Sequence, residues 1–510
     1  MKKNNLITYF IVTIAFIAIS INWFCHLEKD PDTSLTDCNV FYTDEGWHSG
    51  NAVSRYLTGN WLMNGPNHML LMPTMPLIQY RVFTLLGLSL ASARLPSAVI
   101  SLFLVLFVCL FVAANNRHRE SHGDGLMRDE RMRDGRMRLP ALVPICLCLF
   151  LLGSNIYFFV FGRLALLDVP MSAFGLFSLF LLYKAMASSG PGSKIILYPA
   201  SGVVLAISIL TKSSAFVFVV TMLFVLALRF YFARERRKQD LLGILSSLVI
   251  AVIIVSLAYP FIRHLTGASR DMTPAGLIGS KIVYNPLLIG INYVKFFSNQ
   301  FLVRNGILFL LALASFFIVT AEGFKDTSIH LSDMIMGSLL VASFLFLGYF
   351  TYQPPRYFLI LIIPLVYFVS TLPINIQNVR IYHRLSELHH PEIIVIILIL
   401  AGNTYNVFGM LKIHLDPRFT IPSVARAVRH DILADKKGER AEDIILIHGA
   451  TLSLVNQLIP YETPSADMKK PIYHLLQGEM KPQGKGFTLI SSYTMLNNYK
   501  GSKLYLYRED

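Results

Sequence analysis

Long apolar segments recur along the chain, and they limit its fold more than any other feature of the sequence. Each is near the length of roughly 20 residues that an α-helix needs to cross a bilayer. We count eleven, at about 6–24, 95–114, 141–161, 165–184, 195–210, 214–232, 241–262, 306–321, 334–352, 357–375 and 392–411. Only 15% of the residues are charged, against about 25% in a soluble domain. The sequence therefore predicts a polytopic α-helical membrane protein.

The basic residues predict the orientation of these spans. Four basic loops fall on one side of the membrane if the N-terminus is cytoplasmic, namely 115–140, 184–194, 234–240 and 378–387, as the positive-inside rule requires. This distribution accounts for the net charge of +14 without a nucleic-acid partner. We predict a multi-pass membrane protein with a cytoplasmic N-terminus. Its first span is retained, because the apolar run is longer than that of a signal peptide.

The composition changes after the last span, and this predicts a second domain. An odd number of spans places the C-terminus outside, in the periplasm. We expect a membrane domain over 1–411 and a small periplasmic α/β domain over 412–510. Residue periodicity predicts strands within 441–450, 485–493 and 502–510, and helices within 421–433 and 451–459.

Two long external loops are predicted, at 25–94 and 263–305. The segments EGWHSGNAVSRYLTG and MPLIQYRVFTLLGLSL of the first loop are too short or too polar to span, but their apolar residues recur at helical spacing. We expect them to form helices on the membrane surface. Cys25 and Cys38 also lie in this loop, where an oxidising compartment would permit a disulfide between them.

An adjacent acidic pair, Asp44 and Glu45, begins one of these surface helices. One interpretation is that Thr43 or Asp44 caps the helix and that the acids stabilise its N-terminal dipole. The other is that one of them is a catalytic base, which takes a proton from an acceptor hydroxyl at the membrane surface. Because adjacent helical residues point in different directions, only one is expected to face the reaction.

Asp168 stands at the start of an apolar span. A carboxylate within a membrane segment is costly and marks a functional site by default. The alternative is a structural partner for Arg163, five residues earlier, if a turn brings the two together. The two roles are compatible.

Basic residues also occur where the positive-inside rule disfavours them. These external residues are Arg55, Arg81, Arg94, Lys212, Arg263, His264, Arg304 and Arg356. Each alone can reach the lipid headgroups by snorkelling, but as a set they favour an anionic phosphate as ligand. A divalent cation held by His48, His68, His264 and Asp44 stays open as a cofactor, although no HExxH or CxxC spacing is present. The sequence contains no Walker A motif and no GxGxxG after a strand, which argues against a nucleotide-driven enzyme.

Five segments in order resemble the membrane glycosyltransferases of the GT-C fold, in particular the group that holds protein O-mannosyltransferases and the bacterial lipid A aminoarabinose transferase. They are DEGWHSGNAVSRYLTGNW, ASARLPSAVISLF, GRLALLDVPMSAF, SGVVLAISILTKSSA and PPRYFLILIIPL. The resemblance implies an inverting enzyme that takes one sugar from a polyprenyl-phosphate carrier at the external membrane face. The acceptor would be a lipid, glycan or protein of the cell envelope, and the resemblance implies a location in a bacterial inner (plasma) membrane.

The resemblance also implies roles for single residues. Asp44 would be the catalytic base, Glu45 would orient its surroundings, and Asp168 would help to build the site. Arg55, Lys212, Arg263 and Arg356 would hold the donor phosphate, where positive charge stabilises the leaving group. For the sugar or acceptor we expect a second set of residues, Trp47, His48, His68, Arg163 and Tyr349.

The chain departs from the aminoarabinose transferases at two places. Where those enzymes have a lysine in a KPPL-type motif, this chain has MPTMPL at 72–77, and Trp47 stands where a basic residue is expected. Donor specificity should therefore differ. Two other classes stay as alternatives. A transporter or flippase of lipid-linked sugars would show a polar path through the bilayer, and an envelope scaffold would not need both Asp44 and Asp168.

Overall fold

A computed structural model gives the architecture of the chain. It describes residues 3–25, 27, 43–61, 69–122, 142–188, 190–232, 237–266, 285–325, 329–349, 355–378, 391–415, 427–428, 430–432, 434–435, 445–448, 472–477, 487–494 and 503–509.

The helices follow the predicted apolar segments. In chain order they are α1 (Lys3–Phe24), α2 (Thr43–Thr58), α3 (Thr74–Leu86), α4 (Leu90–His122), α5 (Leu142–Ser154), α6 (Ile156–Arg163), α7 (Asp168–Ala187), α8 (Pro191–Thr211), α9 (Phe216–Phe232), α10 (Arg237–Thr266), α11 (Pro286–Phe297), α12 (Gln300–Lys325), α13 (Leu331–Tyr349), α14 (Leu359–Asn378), α15 (Pro391–Gly402) and α16 (Thr404–Leu415). Two 3₁₀ helices, Ser213–Ala215 and Pro355–Phe358, precede α9 and α14.

The predicted helical membrane fold is confirmed, and α2 and α3 form where surface helices were expected. Among the described residues, nine segments are long and apolar enough to cross a membrane, or ten if α5 and α6 form one span. The predicted count of eleven stays a prediction, since the apolar part of α1, Phe10–Phe24, is shorter than the others. The third predicted span is not one straight helix, because α5 and α6 meet at a bend of 62°.

Helices α7 and α8 form an antiparallel pair that brings two distant residues together. Ser178 Oγ donates to the carbonyl of Ser201 at 2.7 Å, and Ser201 Oγ donates to the carbonyl of Ser178 at 2.9 Å. These small side chains let the backbones approach closely. At about 1.5 Å of rise per residue, Asp168 and Lys212 lie at nearly equal distances from this contact. The register therefore places both at the same end of the pair.

Glycines allow similar close packing between α8 and α10. A Cβ at Gly202 would lie 2.4 Å from the backbone oxygen of Ser247, whereas a Cβ at Gly192 would have no neighbour within 4 Å. Because a backbone atom cannot move aside as a flexible side chain can, we expect Gly202→Ala to destabilise the protein by about 1–3 kcal/mol. Thermal unfolding in detergent measures the change. Gly192→Ala is the control, and equal destabilisation by both variants would contradict the packing argument.

The C-terminal part contains a four-stranded sheet of order β1-β2-β4-β3. The strands are β1 (Ile445–His448), β2 (Ile472–Gln477), β3 (Phe487–Thr494) and β4 (Lys503–Glu509). Strands β1 and β2 are parallel, while β4 is antiparallel to both β2 and β3. The three predicted strands are present, and β2 was missed because its short segment IYHLLQ shows no clean alternation. The helix predicted within 451–459 lies outside the described residues, and the domain boundary at 411 and 412 stays a prediction.

Candidate active site

Asp168 is the first residue of α7 and is buried, with 1% of its surface exposed. A tight turn precedes it, in which the N–H of Leu166 donates to the carbonyl of Leu164 at 2.7 Å. A carboxylate in the first turn of a helix interacts favourably with the helix dipole. The turn and the helix together fix the carboxylate inside the end of the bundle.

Lys212 is the ion-pair partner of Asp168. It follows the last residue of α8 in an extended conformation, with φ of −160°, and the 3₁₀ helix begins directly after it. Its Nζ atom lies 2.6 Å from Oδ1 of Asp168. The lysine is 5% exposed, so both charges of the pair are largely removed from solvent. An unmatched charge buried in this way would be costly.

Arg356 and Tyr357 complete the cluster from the second 3₁₀ helix. The Nε atom of Arg356 lies 3.5 Å from Oδ2 of Asp168, an ion-pair distance without hydrogen-bond geometry. The ring centroid of Tyr357 lies 4.7 Å from Lys212 Nζ and 5.7 Å from the guanidinium carbon of Arg356. Both cations therefore face one aromatic ring, as in cation–π interactions. We call Asp168, Lys212, Arg356 and Tyr357 the Asp168 cluster.

The charge balance of the Asp168 cluster favours an anion. One carboxylate faces two cations, so the formal charge is +1. Oδ2 of Asp168 is buried and accepts no hydrogen bond from any residue that the structure describes. The cluster thus presents excess positive charge together with an acceptor for a hydrogen-bond donor. A ligand with an anionic group and a hydroxyl would satisfy both.

Neighbouring hydroxyls hold the cluster in place. Ser172 Oγ donates to the carbonyl of Asp168 at 2.8 Å. Ser208 Oγ donates to the carbonyl of Met171 at 2.8 Å and ties α8 to α7 one turn from the ion pair. Ser214 Oγ lies 3.0 Å from the Met171 sulfur. The backbone on both sides of the ion pair is therefore anchored.

The structure places the predicted acidic pair on α2. Asp44, Glu45 and Trp47 lie at the N-terminal end of that helix, but their side chains are outside the described residues, as is the whole of His68. His48 lies one position further along α2 and is buried. The roles predicted for these five residues stay predictions.

Two predicted site residues, Arg55 and Arg163, have partners outside the Asp168 cluster. Arg55 donates to the carbonyl of Gly59 and its guanidinium carbon lies 5.7 Å from the ring centroid of Trp61. Arg163 Nη2 donates to the carbonyl of Cys25 at 2.9 Å. The suggested pair of Arg163 with Asp168 is wrong, because the ion pairs of Asp168 are with Lys212 and Arg356. Tyr349 ends α13 and is 45% exposed.

Arg263 lies in the last turn of α10 and is half-buried. Cys25 forms no disulfide with a described cysteine, and Cys38 is outside the described residues, so their disulfide stays a prediction. The described side chains include no group of three or more His, Cys, Asp or Glu able to hold a metal ion. Asp44 and His68, two of the four suggested metal ligands, fall outside that search.

Tyr357 was missed as a site residue. Its neighbour Arg356 was selected for its charge. The sequence signal that could have identified Tyr357 is its place directly after that arginine, at the start of an apolar span. Its position between two cations depends on the fold and not on the local sequence.

A family model matches part of the chain. The model of dolichyl-phosphate-mannose-protein mannosyltransferases matches residues 142–265, which include Asp168 and Lys212. A comparison with curated protein sequences finds no match.

Solved structures match over a much larger part. ArnT from Cupriavidus metallidurans bound to undecaprenyl phosphate gives a TM-score of 0.59 at 13% identity, over 97% of each chain. The chain has the GT-C fold. The archaeal oligosaccharyltransferase AglB from Archaeoglobus fulgidus, in complex with an inhibitory peptide and a dolichol-phosphate, gives a TM-score of 0.51 at 12% identity. That match covers 90% of this chain and 64% of AglB. The fold expected from the resemblance is confirmed.

Proposed function

We propose that the protein is an inverting glycosyltransferase that moves one sugar from a polyprenyl-phosphate carrier to a lipid, glycan or protein of the cell envelope. The observation that carries this proposal is the Asp168 cluster, in which two cations flank one buried carboxylate. The family model of residues 142–265 and the fold shared with two structures that contain polyprenyl-type phosphates support it.

The proposed chemistry follows from the charges. The bond between the anomeric carbon and the donor phosphate breaks while a bond from the acceptor oxygen forms on the opposite face, which inverts the configuration. The departing phosphate gains negative charge, which Lys212 and Arg356 stabilise from fixed positions. Asp168 holds the two cations in place and offers its Oδ2 atom to a hydroxyl of the acceptor or sugar.

The acceptor must also lose a proton as its oxygen attacks. We assign Asp44 as the general base, because α2 carries it at its N-terminal end and a positioned carboxylate suits this task. Glu45, the adjacent acid, orients the helix or its neighbours. Arg55 and Arg263 also bind the donor phosphate. The sugar or acceptor is contacted by a second set of residues, namely Trp47, His48, His68, Arg163 and Tyr349.

The reaction is assigned to the external face of a bacterial inner membrane. Asp168 begins α7, whose other end leads into the basic segment 184–194. Because basic loops prefer the cytoplasmic side, Asp168 is assigned to the opposite, periplasmic side.

Donor turnover by the purified protein tests this function. Undecaprenyl-phosphate sugars are supplied with an envelope extract, and release of undecaprenyl phosphate is measured by mass spectrometry. We expect Asp44→Asn to lower the rate by about 10²–10⁴-fold, since general base catalysis contributes that much. Glu45→Gln is the matched control, with a smaller expected loss. Turnover by Asp44→Asn at the wild-type rate would contradict the assignment of Asp44 as the base. Absence of turnover with every polyprenyl-phosphate sugar would contradict the proposed function.

A further inference from the structure

Four buried asparagines form one hydrogen-bonded network inside the membrane domain. Asn305 Oδ1 accepts from Asn155 Nδ2 at 3.4 Å and from Asn406 Nδ2 at 3.1 Å. Asn406 Nδ2 also donates to Asn403 Oδ1 at 2.9 Å, and Asn403 Nδ2 donates to Ser154 Oγ at 2.5 Å. Each of the four asparagines is no more than 3% exposed. We call them the asparagine network.

The asparagine network lies where two helices break. Asn155 separates α5 from α6, and Asn403 separates α15 from α16. A break inside a membrane leaves backbone donors without helical partners, and no water replaces them there. The network supplies the missing acceptors, since the N–H of Phe158 donates to Asn155 Oδ1 at 3.0 Å and the N–H of Ile156 to Asn406 Oδ1 at 3.4 Å.

The N-terminus of α6 is thus capped partly by Asn155, which directly precedes it, and partly by Asn406 of α16. Amide side chains within membrane spans are costly, and here each serves the 62° bend between α5 and α6. Shortly after the bend, α6 ends at Arg163, and the turn that follows leads directly to Asp168. The direction of α6 therefore sets where that turn begins.

A second path joins the network to the Asp168 cluster. Asn305 Nδ2 donates to the carbonyl of Phe301 at 3.0 Å. The Phe301 ring lies 5.3 Å from the ring of Tyr157 on α6 and 4.8 Å from the ring of Phe358. Phe358 belongs to the same 3₁₀ helix as Arg356. The network thus supports both the helix before Asp168 and the segment that carries its second cation.

We propose that the asparagine network is a positioning device for the Asp168 cluster. Asn155, Asn305, Asn403 and Asn406 act through the bend and through Phe301, and they do not touch the reacting groups. The kinetic test of this proposal rests on the proposed function, whereas the fluorescence test does not.

The kinetic test uses Asn305→Leu, which keeps the approximate volume and removes the two acceptor contacts. A displacement of reacting groups by about 1 Å can cost up to about 100-fold in rate, so we expect kcat to fall by about 10–100-fold. We expect KM for the donor to change by less than about twofold, because loss of transition-state interactions alone lowers kcat.

The matched control is Asn375→Leu. Asn375 is an equally buried asparagine on α14, 1% exposed, and donates to Ser315 Oγ at 2.9 Å. It lies towards the end of α14 away from Arg356 and outside the network. We expect its kcat to stay within about twofold of wild type, although its stability should fall.

The spectroscopic test uses tryptophan fluorescence. Trp23 is fully buried, and its ring lies 5.2 Å from that of Phe158 on α6. The sequence has three tryptophans, so a Trp47→Phe, Trp61→Phe background leaves Trp23 as the reporter; this background serves for fluorescence only. We expect Asn305→Leu, and not Asn375→Leu, to shift the Trp23 emission at temperatures where both remain folded.

Several outcomes overturn the proposal. An unchanged Trp23 emission in Asn305→Leu does so, and so does an equal loss of kcat in both leucine variants. If Asn305→Leu does not fold, Asn155→Ser replaces it, because serine keeps the helix cap and loses the bond to Asn305. If the wild type turns over no donor, the proposed function fails, and the fluorescence comparison, which needs no donor, decides the present proposal.

Discussion

Asp168→Asn is expected to lower donor turnover by about 10²–10³-fold, the loss that follows removal of one fixed electrostatic contact in an active site. The asparagine keeps the shape of the carboxylate but removes its charge. Lys212 at 2.6 Å and Arg356 at 3.5 Å then lose the group that orients them. Turnover is measured as release of undecaprenyl phosphate per folded protein.

Asp240→Asn is the matched control for that experiment. Asp240 is a buried aspartate, 1% exposed, that accepts from Arg229 Nη2 at 2.6 Å and from the hydroxyl of Tyr198 at 3.0 Å. It lies in the first turn of α10, at the opposite end of the helices from Asp168. Asp240→Asn should destabilise the protein and leave turnover per folded protein within about threefold of wild type, since its effect is on folding. Equal activity losses in the two variants would show that Asp168 has only a structural role.

Lys212→Met is expected to reduce both stability and donor binding. It leaves the Asp168 carboxylate buried with only the more distant Arg356, and breaking a buried ion pair costs about 3–5 kcal/mol. The free energy of unfolding is measured with denaturant in detergent. Binding of undecaprenyl phosphate is measured on the same samples, where we expect a weaker Kd because a cation next to the phosphate is lost.

The double variant Asp168→Asn, Lys212→Met separates these effects. Removing both charges should recover a large part of the stability, since no unmatched carboxylate remains, but it should recover no turnover. If the free-energy losses of the two single variants simply add in the double variant, the ion pair is not coupled as its geometry implies.

The sequence predicted the fold because membrane insertion leaves a strong signal in the chain. Apolar length located the helices, and the charge of the loops predicted their orientation. The bend at Asn155 was not visible in this signal. The segment 141–161 is apolar except for the short stretch Gly153–Asn155, and its mean hydropathy is that of a single span. The break also depends on an acceptor supplied by Asn406, which lies 250 positions after Ile156.

The site was predictable in part for the same reason. Asp168 stands out because a carboxylate within an apolar span is rare, and Lys212 and Arg356 stand out because the positive-inside rule disfavours basic residues on the external side. Their mutual arrangement did not follow from the sequence, and Arg163, the nearest basic residue in the chain, was the wrong partner. The antiparallel packing of α7 and α8 brings Lys212 to Asp168 across 44 positions.

The mutual serine contact between α7 and α8 has a consequence for how such a chain can vary in length. One residue inserted between Asp168 and Ser178 turns the Asp168 side chain by about 100° around the axis of α7, relative to the serine contact. One residue inserted between Ser201 and Lys212 turns Lys212 in the same way around α8, and either insertion separates the ion pair. The same insertion in the turn between α7 and α8 leaves both residue counts unchanged. Length variation in this hairpin is therefore tolerable at the turn farthest from Asp168 and disruptive along the two helical arms that support it.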